Sequence, residues 1–323
     1  MKDELKYAYA VARTKAVENK LLDRSVIDRL IAAETTQKAC RILRDSGWEI
    51  PEKADALEYA SARMEQIWRF LYESAPDKSA LSILTVENDF HNIKAAVKSV
   101  FTDTQPDRLY IRPTVLNTDE LTEMSKKHDF SLLGEYAASA AQKAYEIGVE
   151  TGNGQKTDII LDIAALNRLS VLSQQSSWQL LKQICDIKLA AANIKTAVRT
   201  AQANKEYDFI RKALCNCGGL DSEKLARSAC DGIDAVYGYL YTTVFSDAAD
   251  ALKKSTTAFE KWADDKITEA VKAVKWKTLG FEPLVAYYYA NLAEVKNVRI
   301  ILGAKISGAD EQTVRQRVRE LYV

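Results

Sequence analysis

The chain has 323 residues, 47% hydrophobic and 28% charged, which is the composition of a folded protein with a large core. Its 45 basic and 45 acidic residues cancel, and this balance argues against a nucleic-acid binder, which needs surplus cations to displace counterions. With only 12 glycines and 5 prolines, the composition favours long helices over short strands and turns.

The apolar runs of the chain are too short for a predicted membrane span. The best candidate, residues 284–292, falls well below the roughly 20 residues that cross a bilayer and contains three tyrosines. The chain also starts without the pattern of a secretory signal. We therefore expect any membrane association to go through another protein.

The five cysteines are expected to be reduced thiols of a cytosolic protein. Cys215 and Cys217 are spaced like half of a zinc site, but zinc takes four ligands at recognisable spacing. The two histidines, His91 and His128, lie far from this pair in the sequence. The sequence therefore predicts no metal site and no bound cofactor.

The first third of the chain has the apolar spacing of five helices. The second of these has a capping signal at Ser25-x-x-Asp28, the third stops at Gly47, and Pro51 marks the turn that follows. Residues 102–113, with two prolines, form the first plausible boundary. The five predicted helices cover residues 7–22, 25–31, 39–43, about 54–71 and about 79–101.

A similar order of helices recurs after this boundary. Thr118 begins a helix with two acids in its first turn, and Asp221 caps a later helix through Leu225. No stretch shows the alternation typical of a strand. The third unit opens near residues 205–214. The remaining predicted helices cover residues 132–147, 158–172, 177–203, 229–245, 247–274, 283–302 and 310–323.

A short pattern occurs three times, with spacings of 101 and 104 residues, and in each copy a cation follows an asparagine by two positions. The asparagines are Asn92, Asn193 and Asn297, and the cations are Lys94, Lys195 and Arg299. Apolar residues two before, one after and five after each asparagine share one stripe of a helix. The position three before the asparagine is only partly kept, as Asp89, Ala190 and Glu294.

The repeat predicts an all-α protein made of three helical bundles, at residues 1–106, 107–210 and 211–323. Each bundle is expected to hold short helices followed by a pair of long antiparallel helices. We interpret the six signature residues as structural, with the asparagines forming hydrogen bonds that tie each helix pair together. The alternatives are a helix-surface charge paired with a nearby carboxylate and direct contact with a partner.

No catalytic motif emerges from the sequence. Residues 152–157 resemble a phosphate-binding loop, but a glutamine separates the last glycine from the lysine and a helix precedes the loop. A loose group of carboxylates is better explained by solvated helix faces than by a catalytic site; its members are Asp231, Asp234, Asp247 and Asp250. No catalytic residue is predicted.

Three stretches together resemble the C subunit of V-type (A-type) rotary ATPases, whose eukaryotic counterpart is called the d subunit. They are the opening helix Tyr7–Leu22, the threefold asparagine signature, and the ending from Asn297 to Tyr322. The resemblance covers the whole chain. Ala190 and the weakened third copy depart from the pattern.

The resemblance implies a funnel-shaped, all-helical protein with pseudo-threefold symmetry, a central cavity and no catalytic activity. Such a protein lies peripherally at the cytoplasmic face of the membrane, between the central-stalk subunits and the membrane proteolipid ring. It passes rotation from the stalk to the ring in proton or sodium transport, or in ATP synthesis.

Two alternatives stay open from the sequence alone. One is a helical-repeat scaffold unrelated to rotary ATPases, which would stack as an open solenoid. The other is an all-α enzyme that uses the acidic group around Asp231 and Asp234. The sequence does not distinguish proton from sodium transport, or hydrolysis from synthesis.

Overall fold

A computed structural model describes residues 2–50, 56–102 and 104–323. This part of the chain is helical and contains no β-strand, which confirms the predicted all-α class. Two 3-10 helices cover Ser79–Leu84 and Pro106–Leu109. The α-helices are α1 (Lys2–Leu5), α2 (Ala8–Glu18), α3 (Arg24–Ala32), α4 (Thr36–Asp45), α5 (Ala56–Ser74), α6 (Val86–Ser99), α7 (Thr118–Lys127), α8 (Glu135–Thr151), α9 (Gly154–Gln175), α10 (Gln179–Gln202), α11 (Tyr207–Ala213), α12 (Ser222–Asp231), α13 (Ile233–Leu240), α14 (Ser246–Lys254), α15 (Thr256–Ala273), α16 (Glu282–Ser307) and α17 (Glu311–Arg317).

Most predicted helices lie within a few residues of their predicted positions. The predicted turn at Pro51, the predicted helix start near residue 54 and position 103 of the predicted boundary lie outside the described residues. The cap of α3 was wrongly predicted: Asp23, and not Ser25, accepts the hydrogen bond of Val26 N–H at 2.9 Å. An aspartate before the first turn satisfies a backbone donor that has no partner within the helix.

Two predicted helices are each broken in the structure. The predicted helix 229–245 is interrupted at Gly232, whose φ of 113° is outside the helical region and favours glycine. The predicted helix 247–274 is interrupted at Ser255, which is extended and whose hydroxyl accepts from Ala258 N–H at 3.0 Å. In both cases the apolar spacing continues across the break, so periodicity alone predicts one helix where the structure has two.

The chain forms two compact units, each built from separate segments of sequence. The first unit comprises Met1–Lys78, Trp178–Ile187 and Asp247–Val323. Its central helix is α16, which packs against α2, α5 and α15. The three consecutive tyrosines of α16, at 287–289, are all buried. A helix with apolar and aromatic residues on most of its circumference is typical of such a central position.

The second unit comprises Ser79–Ser177 and Lys188–Ser246. In it, α6 packs against α7, α8 and α9, and α12 packs against α11 and α13. The predicted pairing of each long helix with its sequence neighbour holds for α15 and α16, but α6 packs with α9 and α5 packs with α16. Apolar stripes indicate which face of a helix is buried but not which helix covers it, so these partners were not predicted, and the pairing of α5 with α6 stays a prediction. The predicted division into thirds stays a prediction.

Gly280 provides a test of packing in the first unit. Its φ is +87°, and a Cβ at this position would lie 2.8 Å from Cζ3 of Trp178. Trp178 packs edge-on against Tyr7, with ring centroids 5.8 Å apart, so its ring cannot shift freely. We predict that Gly280→Ala lowers the free energy of unfolding by about 1–3 kcal/mol, from backbone strain and overpacking.

The matched control is Gly303→Ala. Gly303 lies inside α16, and nothing is within 4 Å of a Cβ built there. Alanine should stabilise this helix by about 0.5–1 kcal/mol. Urea denaturation midpoints of the two variants should therefore move in opposite directions from the wild type, and a shift of the same sign in both would contradict this account.

Candidate functional site

The first signature asparagine, Asn92, binds both backbone groups of a single residue. Its Nδ2 donates to the carbonyl oxygen of Ile111 at 3.0 Å, and Ile111 N–H donates to its Oδ1 at 2.8 Å. A primary amide has an N–H donor and a C=O acceptor side by side, so it can pair with the C=O and the N–H of one residue, as a neighbouring β-strand would. We call this paired interaction an asparagine clamp.

The same two bonds recur at the other two copies. Asn193 donates to the carbonyl of Cys215 at 2.7 Å and accepts from its N–H at 3.0 Å. Asn297 donates to the carbonyl of Arg319 at 3.1 Å and accepts from its N–H at 2.7 Å. Each asparagine therefore holds a segment 19 to 22 residues downstream of itself.

The clamped residues occupy equivalent places in the chain. Each lies two residues after the last residue of a short helix, which is Leu109, Ala213 or Arg317. The intervening residue is extended in every case, with φ/ψ of −68°/136° at Tyr110, −101°/138° at Leu214 and −63°/131° at Val318. The predicted terminal helix 310–323 was therefore too long: it ends at Arg317, because the clamp of Asn297 uses the backbone bonds of Arg319 that a helix would need.

All three asparagines are buried, and their burial makes the bonds costly to lose. Asn92, Asn193 and Asn297 are each at most 1% exposed. A buried amide without partners carries a desolvation penalty, so both of its bonds are structurally required. Cys215 and Arg319 are also buried, whereas Ile111 is 39% exposed. Water can reach the backbone at the first clamp more easily than at the other two.

Two cysteine sulfurs lie beside the second clamp. The Sγ of Cys215 is 3.3 Å from Asn193 Oδ1, and the Sγ of Cys217 is 3.5 Å from Nδ2. Burial raises the pKa of the Cys215 thiol to about 11, so it is protonated and unreactive near neutral pH. Within the described residues, no group of three or more His, Cys, Asp or Glu side chains is placed to hold a metal ion.

Acidic side chains three residues before the asparagine bind the backbone of other segments outside the helices. Asp89 accepts from Val115 N–H at 3.1 Å and from the hydroxyls of Thr85 and Thr114. Glu294 accepts from Leu22 N–H at 2.5 Å, one residue before the cap of α3. Both acids thus fix the chain just ahead of a short capped helix. The second copy has Ala190 here and lacks this contact.

Burial raises the pKa of both acids. At Asp89 the increase is opposed by the Thr114 and Thr85 hydroxyls and by backbone N–H groups. Glu294 is more extreme, with its pKa raised to about 8 by burial against the opposing effects of Leu22 N–H and Arg63. Its Oε2 and the Nε of Arg63 are buried without hydrogen-bond partners. Glu294 is therefore largely protonated near pH 7.

The signature cations do not share one environment. Lys94 forms an ion pair with Asp162 of α9 at 2.5 Å. Lys195 is half-buried, and Arg299 is exposed. In the third copy the ion pairs come instead from Lys296 and Arg319, which both bind Asp264 of α15. The cation two positions after the asparagine thus ranges from half-buried at Lys94 and Lys195 to exposed at Arg299.

The acidic group considered in the sequence is divided between the two units, with Asp231 and Asp234 in the second and Asp247 and Asp250 in the first. Asp231, Asp234 and Asp250 are exposed. Asp247 forms an ion pair with Lys266 at 2.9 Å. None of the described helices has an apolar stretch of the length that a membrane span requires.

Comparison with known proteins identifies relatives over almost the whole chain. The family described as ATP synthase (C/AC39) subunit matches residues 10–317. The C subunit of the V-type sodium ATPase of Enterococcus hirae is 21% identical over 94% of this chain and 95% of its own length. The C subunits of the A-type ATP synthases of Methanocaldococcus jannaschii and Methanobrevibacter smithii are 20% and 24% identical, over 96% and 93% of this chain and 85% and 84% of their own lengths.

Removing the clamps should destabilise the protein unequally. We predict that Asn297→Ala and Asn193→Ala each lower the free energy of unfolding by about 2–5 kcal/mol, because two buried backbone groups lose their partners. Asn92→Ala should cost less, since Ile111 is partly exposed. Chemical denaturation of the three variants ranks their losses of stability. The control is Asn88→Ala, since Asn88 forms one hydrogen bond to the backbone, with the carbonyl of Pro113. Equal losses at all four positions would contradict the clamp.

Glu294→Gln should stabilise the protein in a pH-dependent way. The pKa of Glu294 is about 8 in the folded chain and near 4.5 when unfolded, so wild-type stability falls as pH rises through this window. Glutamine keeps an acceptor for Leu22 N–H and carries no proton to lose. The free energy of unfolding of the variant should equal that of the wild type near pH 4. Between pH 5 and 8 it should exceed the wild-type value by a growing amount, up to at most about 5 kcal/mol.

Thermal or urea unfolding of the wild type and the variant across this pH range measures the contribution of Glu294. All other titratable groups are present in both proteins, so their effects cancel in the difference. An advantage independent of pH would show that Glu294 does not titrate in this window.

Proposed function

This chain belongs to the ATP synthase (C/AC39) subunit family, and from that premise we propose that it is the non-catalytic rotor adaptor of a V-type rotary ATPase. In this role it lies peripherally at the cytoplasmic face of the membrane and joins the central-stalk subunits to the membrane proteolipid ring. The observation that carries the proposal is the family match over residues 10–317, together with relatives aligned over more than nine-tenths of the chain.

The packing is suited to transmitting torque within each unit. Closely packed interiors deform little, and long helices carry load along their axes. The clamps of Asn92, Asn193 and Asn297 add a second source of stiffness, because each fixes an extended segment to a long helix by two bonds. Segments that would otherwise bend are therefore held at three equivalent places in the sequence.

We further propose that the molecule is a funnel with pseudo-threefold symmetry and a central cavity, built from residues 1–106, 107–210 and 211–323. The recurrence of the clamp supports this arrangement. A short helix, one extended residue and a clamped residue follow the asparagine in each of its three copies. The six signature residues are proposed to have a structural role in each third, and to contact no substrate.

The proposal covers either direction of the reaction. One relative is named as part of a sodium ATPase and two are named as parts of ATP synthases. In one direction, ATP hydrolysis in the soluble head turns the stalk and this chain turns the ring. In the other, ion flow through the ring drives the stalk. A helical scaffold unrelated to rotary ATPases is not favoured, because the match extends along nearly the whole chain.

The function can be tested by omitting this one protein. Membrane vesicles whose ATPase complex lacks only this chain should still hydrolyse ATP in the soluble head but should show little or no ATP-driven ion uptake. Adding the purified chain should restore uptake, and Gly303→Ala should restore it as well as the wild type, since position 303 has open space around it. Normal uptake without the chain would refute the adaptor role.

A further inference from the structure

The segment that follows α17 lies in a groove of the first unit, and we call its residues 318–322 the strap. The strap has no helix or strand of its own, yet Val318, Arg319, Leu321 and Tyr322 are buried. The groove is formed by residues of α2, α15 and α16, all of the first unit. Because buried backbone groups need hydrogen-bond partners, this groove must supply them.

Side chains of the groove bind the backbone of three consecutive strap residues. Lys261 Nζ donates to the carbonyl of Val318 at 2.5 Å, and Asp265 Oδ1 accepts from Glu320 N–H at 2.7 Å. Between them, the third asparagine clamp binds both backbone groups of Arg319. These four bonds do not involve the side chains of the strap, so they hold its backbone whatever side chains it carries.

Charged residues of α15 bind the two charged side chains of the strap. Arg319 Nε donates to Asp264 Oδ2 at 2.9 Å, and the arginine side chain is only 10% exposed. Lys272 Nζ donates to Glu320 Oε1 at 2.6 Å at a more exposed position. A charge with so little exposure is costly without a partner of opposite sign, so the position beside Asp264 selects a cation. The exposed pair at Glu320 contributes less.

The next two strap residues provide its largest apolar contacts. Leu321 and Tyr322 are both buried. The hydroxyl of Tyr322 lies 3.5 Å from Oε1 of Glu18, and the Nζ of Lys275 lies 5.5 Å from the centre of its ring. Burial of these two side chains adds a hydrophobic contribution to the polar contacts of the strap. The groove therefore fits a basic, an acidic, an apolar and an aromatic residue in succession.

A cleft beside the strap gives access to the same polar partners. It lies between α14, α15 and α17 and has a volume of about 1260 Å³. Its lining includes Lys261, Asp265 and Lys272 of the groove, together with Glu320 of the strap. The polar contacts of the strap thus lie at an open face of the first unit, so a peptide from solution can reach them without crossing the core.

We propose that this groove is a peptide-binding site, which the strap occupies within its own chain and which binds an extended peptide of the same chemistry in trans. Its ligand has an arginine, an acid, an apolar residue and a tyrosine in succession. Backbone contacts supply affinity and side-chain contacts supply specificity, as in proteins that recognise extended peptides. In the groove these two tasks fall to separate residues. The inference does not depend on the adaptor role.

The experiment measures binding of a fluorescein-labelled peptide of residues 317–323 by fluorescence anisotropy. A chain shortened to end at Arg317 should bind it saturably. The full-length chain should bind it at least about 100-fold more weakly, because its own strap competes at a high effective concentration. In the shortened chain, Asp264→Ala should weaken binding at least about tenfold, since Arg319 of the peptide loses its partner. The matched control is Asp234→Ala, an exposed acid of the second unit, which should leave binding unchanged.

Circular dichroism and urea midpoints show whether the shortened chain is folded. If it is folded and binds no peptide, the groove is not a peptide-binding site. Equal binding of a peptide with the same residues in scrambled order would also overturn the inference, because it would show attraction by charge alone. If the shortened chain does not fold by itself, refolding it with each peptide decides. Recovery of the folded state with the strap peptide and not with the scrambled one supports the site, and recovery with neither peptide overturns it.

Discussion

The paired hydrogen bonds of a buried asparagine amide with the backbone of one residue outside regular secondary structure are the interaction on which this fold most depends. A helical protein has few ways to hold an irregular segment in its interior, because every backbone donor and acceptor there needs a partner. Asn92, Asn193 and Asn297 supply both partners from a single side chain. The long helices that carry them can then pack closely while the chain turns past their sides.

The acids near the clamps show the energetic cost of holding the backbone with a buried carboxyl group. Glu294 binds the backbone just before α3, yet its burial raises its pKa to about 8 and leaves Oε2 without a hydrogen-bond partner. Asp89 performs a similar task with more hydroxyl and backbone donors around it. Ala190 shows that the second copy holds its chain without an acid at this position. The clamp is therefore the constant part of the motif, and the acid is an addition to two of its copies.

The sequence predicted the helical class and the positions of most helices, because apolar periodicity and caps such as Asp221 are local signals. It also identified the three asparagines, since identical residues recur at nearly equal spacing. It did not predict the residues that the asparagines bind. The asparagines bind the backbone of Ile111, Cys215 and Arg319, 19 to 22 positions downstream, and the side-chain type of a residue does not indicate which backbone groups will be bound. The breaks at Gly232 and Ser255 were missed for the opposite reason, because the apolar spacing continues through them.

Native-state hydrogen exchange at the clamped residues tests the central claim most directly. The N–H groups of Ile111, Cys215 and Arg319 lie outside regular secondary structure, so without the clamps they would exchange as fast as exposed loops. The account predicts protection comparable to that of helix interiors at Cys215 and Arg319, somewhat less at Ile111, and its loss at the corresponding residue when the asparagine is replaced by alanine. Rapid exchange of all three in the wild-type protein would contradict it.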